Sequence, residues 1–366
     1  MIVKKCKGCG AIMQEENESL PGFVPEITIK TQYCKRCFRM KNYNELPKIV
    51  ATNADYEHVI DSVVKKKGLM VFIVDLFQFK ATFNKKMIDK LRGHDVILVA
   101  NKYDTFPKST NVTKIVDWLS KECEKIFFRV AAIHIVSSKK GYYIDDLLNT
   151  IDFLRRERDV YFVGCANVGK SSLINALLRR NLNYTNDVIA TSLIPGTTLN
   201  EITIPFFDDN KAFIDTPGLI NESDVLNELL PQSYRQILPD GEMKPVTYQI
   251  TNGNAVCLAG LAAVSFETKE TISAIVYTSN KLYIHRCKSE RVDELFANQL
   301  GKLLTPPILD EVSNLEYKEL SFSFDGKSKK DLWFSGFGFI SIKGKCNIKV
   351  KVLKNTEVYV TNAIIG

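Results

Sequence analysis

The chain has 366 residues, of which 45% are hydrophobic and 25% charged, and a formal net charge of +7. That length suits two or three domains rather than one core, and the composition is that of a folded globular protein rather than a disordered or fibrous one. No stretch approaches the roughly 18 uninterrupted apolar residues of a membrane span, and the start MIVKKCKGCG has no apolar secretory core, so the nine cysteines are expected as reduced thiols in the cytoplasm.

Residues 1–45 hold two cysteine pairs, Cys6-x₂-Cys9 and Cys34-x₂-Cys37, around a linker with Pro21, Gly22 and Pro25. Too few apolar side chains are present for a core, and a bound metal would replace one. Two C-x-x-C knuckles suit a tetrahedral Zn²⁺ site made of Cys6, Cys9, Cys34 and Cys37. It would be structural, since four thiolates leave no open position for water. Redox-active thiols are the rival, although a single pair would serve that purpose. Lys4, Lys5, Lys7, Lys30, Lys35, Arg36, Arg39 and Lys41 surround the knuckles and would meet RNA phosphates or form a solvated face.

From residue 46 to 225 helical and strand signals alternate. Helices are predicted over 55–67, 81–92, 112–125 and 143–156 and from Gly169. Strands are predicted over 68–76, 94–102, 129–138, 161–165, 201–206 and 211–216. Val/Ile-rich strands alternating with helices indicate an α/β domain, a mainly parallel sheet covered on both faces. From 226 to 366 the alternation gives way to a strand-rich α+β domain with one helix over 290–304. Val292, Leu295, Phe296, Leu300, Leu303 and Leu304 form its apolar face, and Pro306-Pro307 its stop. Trp333, Phe334, Phe337 and Phe339 alternate with Gly336 and Gly338, which reads either as a base-stacking surface or as the buried face of a strand.

The chemistry lies in the middle domain. Gly164, Cys165, Ala166, Asn167, Val168, Gly169, Lys170 and Ser171 fit G-x-x-x-x-G-K-[ST], with a strand before and a helix after. Such a loop turns backbone N–H groups around phosphates at a helix N-terminus. Lys170 would reach the β- and γ-phosphates, Ser171 would ligate Mg²⁺, and Ser172 would serve the helix or the α-phosphate. Asp215-Thr216-Pro217-Gly218 follows an apolar strand, placing the Asp215 carboxylate in the Mg²⁺ shell and the Gly218 N–H near the γ-phosphate. Asn101-Lys102-Tyr103-Asp104 ends the strand VILVA. The Asp104 carboxylate would accept from guanine N1–H and its exocyclic amine, a donor pair adenine lacks. Lys102 would cover the base, and Asn101 would tie this loop to the phosphate loop. Ser137-Ser138-Lys139 fits the loop that meets guanine O6. Alone, NKYD could be a plain strand-end turn; together, four motifs at strand C-termini specify a GTP/GDP site.

The motifs run in permuted order, with 101–104 and 137–139 ahead of 164–171 and 215–218. Joined old termini and a new break leave the same sheet possible, because termini tend to lie close together at the surface. This order, the C-x-G-C and C-x-R-C pairs, and the stretch LYIHRCKSERVDELFANQLGKLLTPP together resemble the YqeH family of circularly permuted GTPases. The resemblance spans the whole chain. It implies ribosome biogenesis at the small (30S) subunit, with ribosomal RNA and ribosomal proteins as partners; the lack of a long apolar run separately leads us to expect no membrane partner.

The position where many GTPases hold a water-orienting Gln is Leu219, and related permuted GTPases share that substitution. By comparison with GTPases whose loop reads G-x-x-N-x-G-K-S, Asn167 is expected to help hold K⁺ beside the bridging oxygens; the plainer alternative is that it only shapes the turn. Thr198, with Thr197 as the alternative, is expected to complete the Mg²⁺ shell from the first switch, residues 191–200. The catalytic set is therefore Asn167, Lys170, Thr198 and Gly218. Two other functions stay open, a GTPase timer of RNA modification and a protein-binding signalling switch.

Overall fold

A computed structural model describes residues 4–7, 11–17, 22–28, 31–35, 38, 60–180, 201–219 and 228–365. The chain forms two compact units. One comprises Met1–Leu76, Thr82–Tyr103 and Ile115–Asn221, the other Phe77–Ala81, Asp104–Lys114 and Glu222–Gly366. Among the described residues no helix is long and apolar enough to cross a membrane.

In the first unit, β1 (Leu69–Asp75), β2 (Val96–Asn101) and β4 (Val160–Gly164) are buried along their whole length. A strand covered on both faces needs an apolar residue at almost every position, hence the unbroken runs LMVFIV, VILVA and VYFV. With β3 (Ala132–Ile135), β5 (Ile202–Pro205) and β6 (Ala212–Asp215) they form a six-stranded sheet in the order β3-β2-β1-β4-β6-β5. All neighbours are parallel except β5 and β6. The predicted helix over 81–92 divides into α1 (Phe79–Thr82) and α2 (Lys85–Leu91). Asn84 makes the break, because its side chain accepts from the N–H groups of Lys86 and Met87 and so caps a new helix. Then come α3 (Val112–Lys125), which buries Ile115, Trp118, Leu119 and Cys123, and α4 (Ile144–Arg155), which buries Ile144, Leu147 and Ile151. Of the helix predicted over 55–67, residues 60–64 are helical and residues 55–59 lie outside the described residues. The chain steps outward from β1 to β3, then returns to the other side of β1 for β4. That reversal opens a crevice at the strand C-termini, where open α/β sheets bind ligands.

The second unit contains α6 (Pro231–Ile237) and two five-stranded antiparallel sheets, β18-β15-β16-β10-β7 and β11-β8-β9-β17-β14. Their strands are β7 (Val246–Ile250), β8 (Asn254–Leu258), β9 (Ala262–Glu267), β10 (Ile272–Tyr277), β11 (Ile284–Lys288), β14 (Tyr317–Asp325), β15 (Lys330–Phe334), β16 (Gly338–Lys343), β17 (Lys345–Leu353) and β18 (Val358–Asn362). Period-two alternation supplies one core between them: Cys346, Ile348, Val350 and Val352 of β17 point inward and pack with Leu332, Phe334, Ile340 and Ile342 of β15 and β16.

The helix predicted over 290–304 is shorter in the fold. It ends as α7 (Val292–Asn298) and gives way to β12 (Leu300–Gly301) and β13 (Leu304–Ile308), which takes in Pro306 and Pro307. Gly301 at φ +71° breaks the helical run, and a Cβ there would lie 2.9 Å from the Leu309 backbone. Leu304 nevertheless packs with Val292, Leu295 and Phe296. Helical spacing of apolar residues therefore continues past the end of the helix itself. A short α8 (Leu309–Val312) follows β13.

The Trp333–Phe339 aromatics are internal. Trp333 and Phe339 lie on the face of β15 and β16 opposite the inter-sheet core, stacked at 4.2 Å with Tyr277 at 4.7 Å from Phe339, and both are essentially fully buried. Residues 77–81 and 104–114 cover them. Phe106 stacks on Phe339 at 6.3 Å, and the Gln78 amide donates to the Gly336 carbonyl. The side chains are thus committed to packing, as in the buried-strand alternative.

Asp331 sits on that same face, fully buried, accepting from the Ser341 hydroxyl and from the Ile364 N–H at 2.9 Å. Burial pushes its carboxyl up to about 6, against those hydrogen bonds and the nearby Lys329 charge. The folded state keeps a proton there that the unfolded chain has already released. Stability is therefore greatest below the unfolded value near 4 and falls as pH rises towards about 6. A tenfold difference in proton affinity is worth ~1.4 kcal/mol, so the group accounts for a loss of about 3 kcal/mol. Asp331→Asn keeps an acceptor for Ile364 and a donor for Ser341. Denaturant midpoints of this variant between pH 4 and 7 are expected to lack that component of the wild-type decline.

Candidate nucleotide-binding site

The site grows from the C-terminal ends of β4, β6 and β2. After Gly164 the chain makes a tight loop into α5 (Lys170–Leu178), with Asn167 and Gly169 in the left-handed region at φ 63° and 90°. Gly169 has a second reason to lack a side chain: a Cβ would lie 2.5 Å from the Asn101 amide nitrogen. Lys170 is buried, and its ammonium donates back to the carbonyls of Cys165 at 2.9 Å and Gly164 at 3.3 Å. Burial lowers its pKa and the Asp215 carboxylate opposes that shift. An anion in the loop would satisfy this desolvated cation further. Ser171 donates to Asp215 Oδ2 at 3.0 Å, so the hydroxyl and the carboxylate share one small oxygen-rich spot. Ser172 is half-buried in the first helical turn.

Residues 215–219 are fastened to the phosphate loop by backbone. Ala166 N–H donates to the Leu219 carbonyl at 2.8 Å and Leu219 N–H donates to the Gly164 carbonyl at 3.3 Å. Thr216 donates to the Phe162 carbonyl at 2.8 Å and pins the start of the turn. A Cβ on Gly218 would fall 2.6 Å from the Lys170 ammonium and 2.8 Å from the Ala166 backbone, so this approach requires glycine. The Leu219 side chain is buried, so it offers no polar group to a water.

On the β2 side, Asn101 is completely buried. Its Nδ2 donates to the Val168 carbonyl at 2.9 Å and to Ser138 Oγ at 3.1 Å, and its Oδ1 accepts from the Ser138 N–H at 3.0 Å. Ser137, also fully buried, shapes its own turn by accepting from the Lys140 N–H at 2.9 Å, while Lys139 is exposed. Lys102 has φ 69°, and its ammonium meets Asp75 Oδ2 at 2.6 Å. Asp75, at the end of β1, is buried and is absent from the sequence motifs. An acidic residue closing an otherwise wholly apolar strand is the signal that could have marked it. Asp104 occupies a single 3₁₀ turn, Tyr103–Thr105, is half-buried, and belongs to the second unit.

The fold therefore brings together Asn101, Ser138, the loop 164–171 and Asp215–Gly218. Thr197 and Thr198 lie outside the described residues. So do Cys9 and Cys37 of the N-terminal knuckles. Cys6 and Cys34 are both buried, and the Cys34 N–H donates to Cys6 Sγ at 3.2 Å.

The protein YqeH of Bacillus subtilis is 34% identical over 365 residues, covering 98% of this chain and 99% of the relative. The chain belongs to the YqeH family. Residues 271–364 match the family described as YqeH-like, C-terminal, and residues 159–282 match the family described as 50S ribosome-binding GTPase. NO-associated protein 1 of Arabidopsis thaliana, chloroplastic/mitochondrial, is 28% identical over 395 residues, covering 93% of this chain and 70% of its own. The solved structure of GNP-bound YlqF from T. maritima overlays with 21% identity and a TM-score of 0.31, covering 50% of this chain and 66% of that one, too loosely to carry a structural argument. This YqeH-family chain is thus a GTPase whose motifs follow a circularly permuted order.

Replacing Asn101 by Ala would remove the donor to Val168 and both bonds to Ser138. Equilibrium binding of a fluorescent guanosine diphosphate is expected to weaken at least tenfold, about 1.4 kcal/mol. An affinity within twofold of wild type would mean that the loops keep register without the amide.

Proposed function

We propose that this YqeH-family GTPase is a GTP-dependent switch in assembly of the small ribosomal subunit, acting in the cytoplasm on particles made of ribosomal RNA and protein. The observation that carries the nucleotide reading is Asn101, which joins the loop of a base-recognition motif to a phosphate loop at Val168. The 30S assignment rests on the family resemblance. We divide the work among residues 1–45, a zinc module; 46–225, the GTPase domain; and 226–366, a binding domain for RNA or protein.

Asp104 selects guanine, Lys102 covers the base, and Ser137, Ser138 and Lys139 line the O6 side. The backbone of Gly164, Val168 and Gly169 cradles the phosphates, Lys170 neutralises the β- and γ-groups, and Gly218 meets the γ-phosphate through its N–H. Ser171 and Asp215, 3.0 Å apart and both oxygen donors, fit a Mg²⁺ that keeps several waters, with Thr198 or Thr197 joining when the γ-phosphate is present. Bound Mg²⁺ would draw charge from the β- and γ-oxygens. Cys6 and Cys34 suit Zn²⁺, because they approach from distant points of the chain and carry an N–H···S bond of the kind that supports a thiolate ligand; Cys9 and Cys37 would complete the set.

Base selection has a direct test. Asp104→Asn is expected to weaken GTP binding tenfold or more and to favour xanthosine triphosphate, measured by competition; unchanged GTP affinity refutes the assignment. For hydrolysis, Leu219 removes the usual water-orienting group and Asn167 holds K⁺ in its place. Turnover is expected to rise severalfold in K⁺ over Na⁺ and to lose that difference in Asn167→Ala. Equal wild-type rates in the two salts would refute the K⁺ role.

Sedimentation with purified subunits separates the larger readings. A nucleotide-dependent association with 30S particles that weakens steeply with salt is expected. Association with 50S particles alone, or with neither, would replace the small-subunit assignment.

A further inference from the structure

β11 is the edge strand of the second sheet and pairs antiparallel with β8, with His285 opposite Cys257 and Cys287 opposite Ala255. Strand alternation therefore places Cys257 and Cys287 on the same face, as diagonal neighbours. Cys257 is fully buried under Val292, Leu295 and Phe296 of α7, whereas Cys287 is partly exposed at the margin of that cluster.

The two sulfurs are electronically distinct. The neighbouring Cys257 thiol favours the thiolate at Cys287 and lowers its pKa, the Arg291 charge adds to this, and desolvation opposes it. Cys257, beside Cys287 and buried, is shifted up. A reachable, acidified thiol beside a protected one is the layout of an attacking and a resolving cysteine.

We propose that Cys257 and Cys287 form an oxidation-sensitive dithiol that hydrogen peroxide converts into a disulfide stapling edge strand β11 to β8. The Cys287 thiolate attacks one peroxide oxygen. The O–O bond breaks, Cys287 becomes a sulfenic acid, and the hydroxide released takes up a proton as water. The Cys257 sulfur then attacks the Cys287 sulfur. The S–S bond forms, the S–O bond breaks, and the hydroxyl leaves with the Cys257 proton as a second water. Two electrons pass from the thiols to the peroxide. Diagonal neighbours sit about 7–8 Å apart, beyond the usual Cα span of about 4.4–6.8 Å in a disulfide. Closure therefore draws the edge strand inward, which it can follow because only one side of it is hydrogen-bonded in the sheet. The resulting bond is strained and easily reduced.

The test uses the full-length, reduced protein, titrated with hydrogen peroxide, quenched with catalase, alkylated, digested and mapped by mass spectrometry. The peptides carrying Cys257 and Cys287 are expected to appear linked, two hydrogens lighter than their sum, and to separate with dithiothreitol. Cys287→Ser is expected to lose the link completely, while Cys257→Ser is expected to accumulate a dimedone-reactive sulfenic acid at Cys287. Buried Cys346 is the internal reference for a protected thiol. The proposal is overturned if Cys287 in the wild type oxidises no faster than Cys346, or if it stops at a sulfenic or sulfinic acid while Cys257 stays free to alkylate. Should Cys257→Ser fail to fold, the wild type and Cys287→Ser still decide between these outcomes.

Discussion

Asn101 is buried without any contact to water, yet its amide is satisfied on both sides. The Val168 carbonyl needs a donor and the Ser138 N–H needs an acceptor, and a carboxamide offers both from separate atoms of one short side chain. A buried backbone group left without its partner costs about 1–3 kcal/mol, so both loops are held where this side chain can reach them. The same side chain explains why Gly169 has no Cβ. One amide therefore sets the distance between the turn after β2 and the phosphate loop.

Chain order has little influence on that geometry. The strands that matter are parallel and adjacent, so their C-termini open on the same edge of the sheet whichever strand comes first. The phosphate loop needs β4 followed by a helix, the Asp215 turn needs β6, and Asn101 needs β2. None of these local requirements specifies which is translated first. The backbone bonds between Leu219 and the phosphate loop then hold the Asp215–Gly218 turn against Lys170.

Much of this is legible in the sequence because the residues obey local rules. Glycine turns, strand-end polar residues and unbroken apolar runs identify themselves by type and spacing. The order of the strands in space, and the reversal beside β1, are not written in any local pattern. Asp75 escapes such reading because its pairing with Lys102 becomes visible only once β1 and β2 lie side by side. The helix over 290–304 is overextended in the sequence because apolar spacing reports which residues face a core. Leu304 does face one, from a strand. The Trp333–Phe339 aromatics show the opposite limit: composition cannot decide whether they meet a ligand or their own chain, since the covering residues 77–81 and 104–114 are far away in sequence.

Those covering segments bear on how the protein is made. The second unit is discontinuous, with two of its pieces taken from the first third of the chain. During synthesis Gln78 and Phe106 leave the ribosome long before Gly336 and Phe339, and until those arrive the partners they meet in the fold do not exist. The nascent chain thus carries an unfinished apolar surface through most of its translation. A fragment that begins at residue 222 would have the complementary defect, an aromatic face with nothing to cover it.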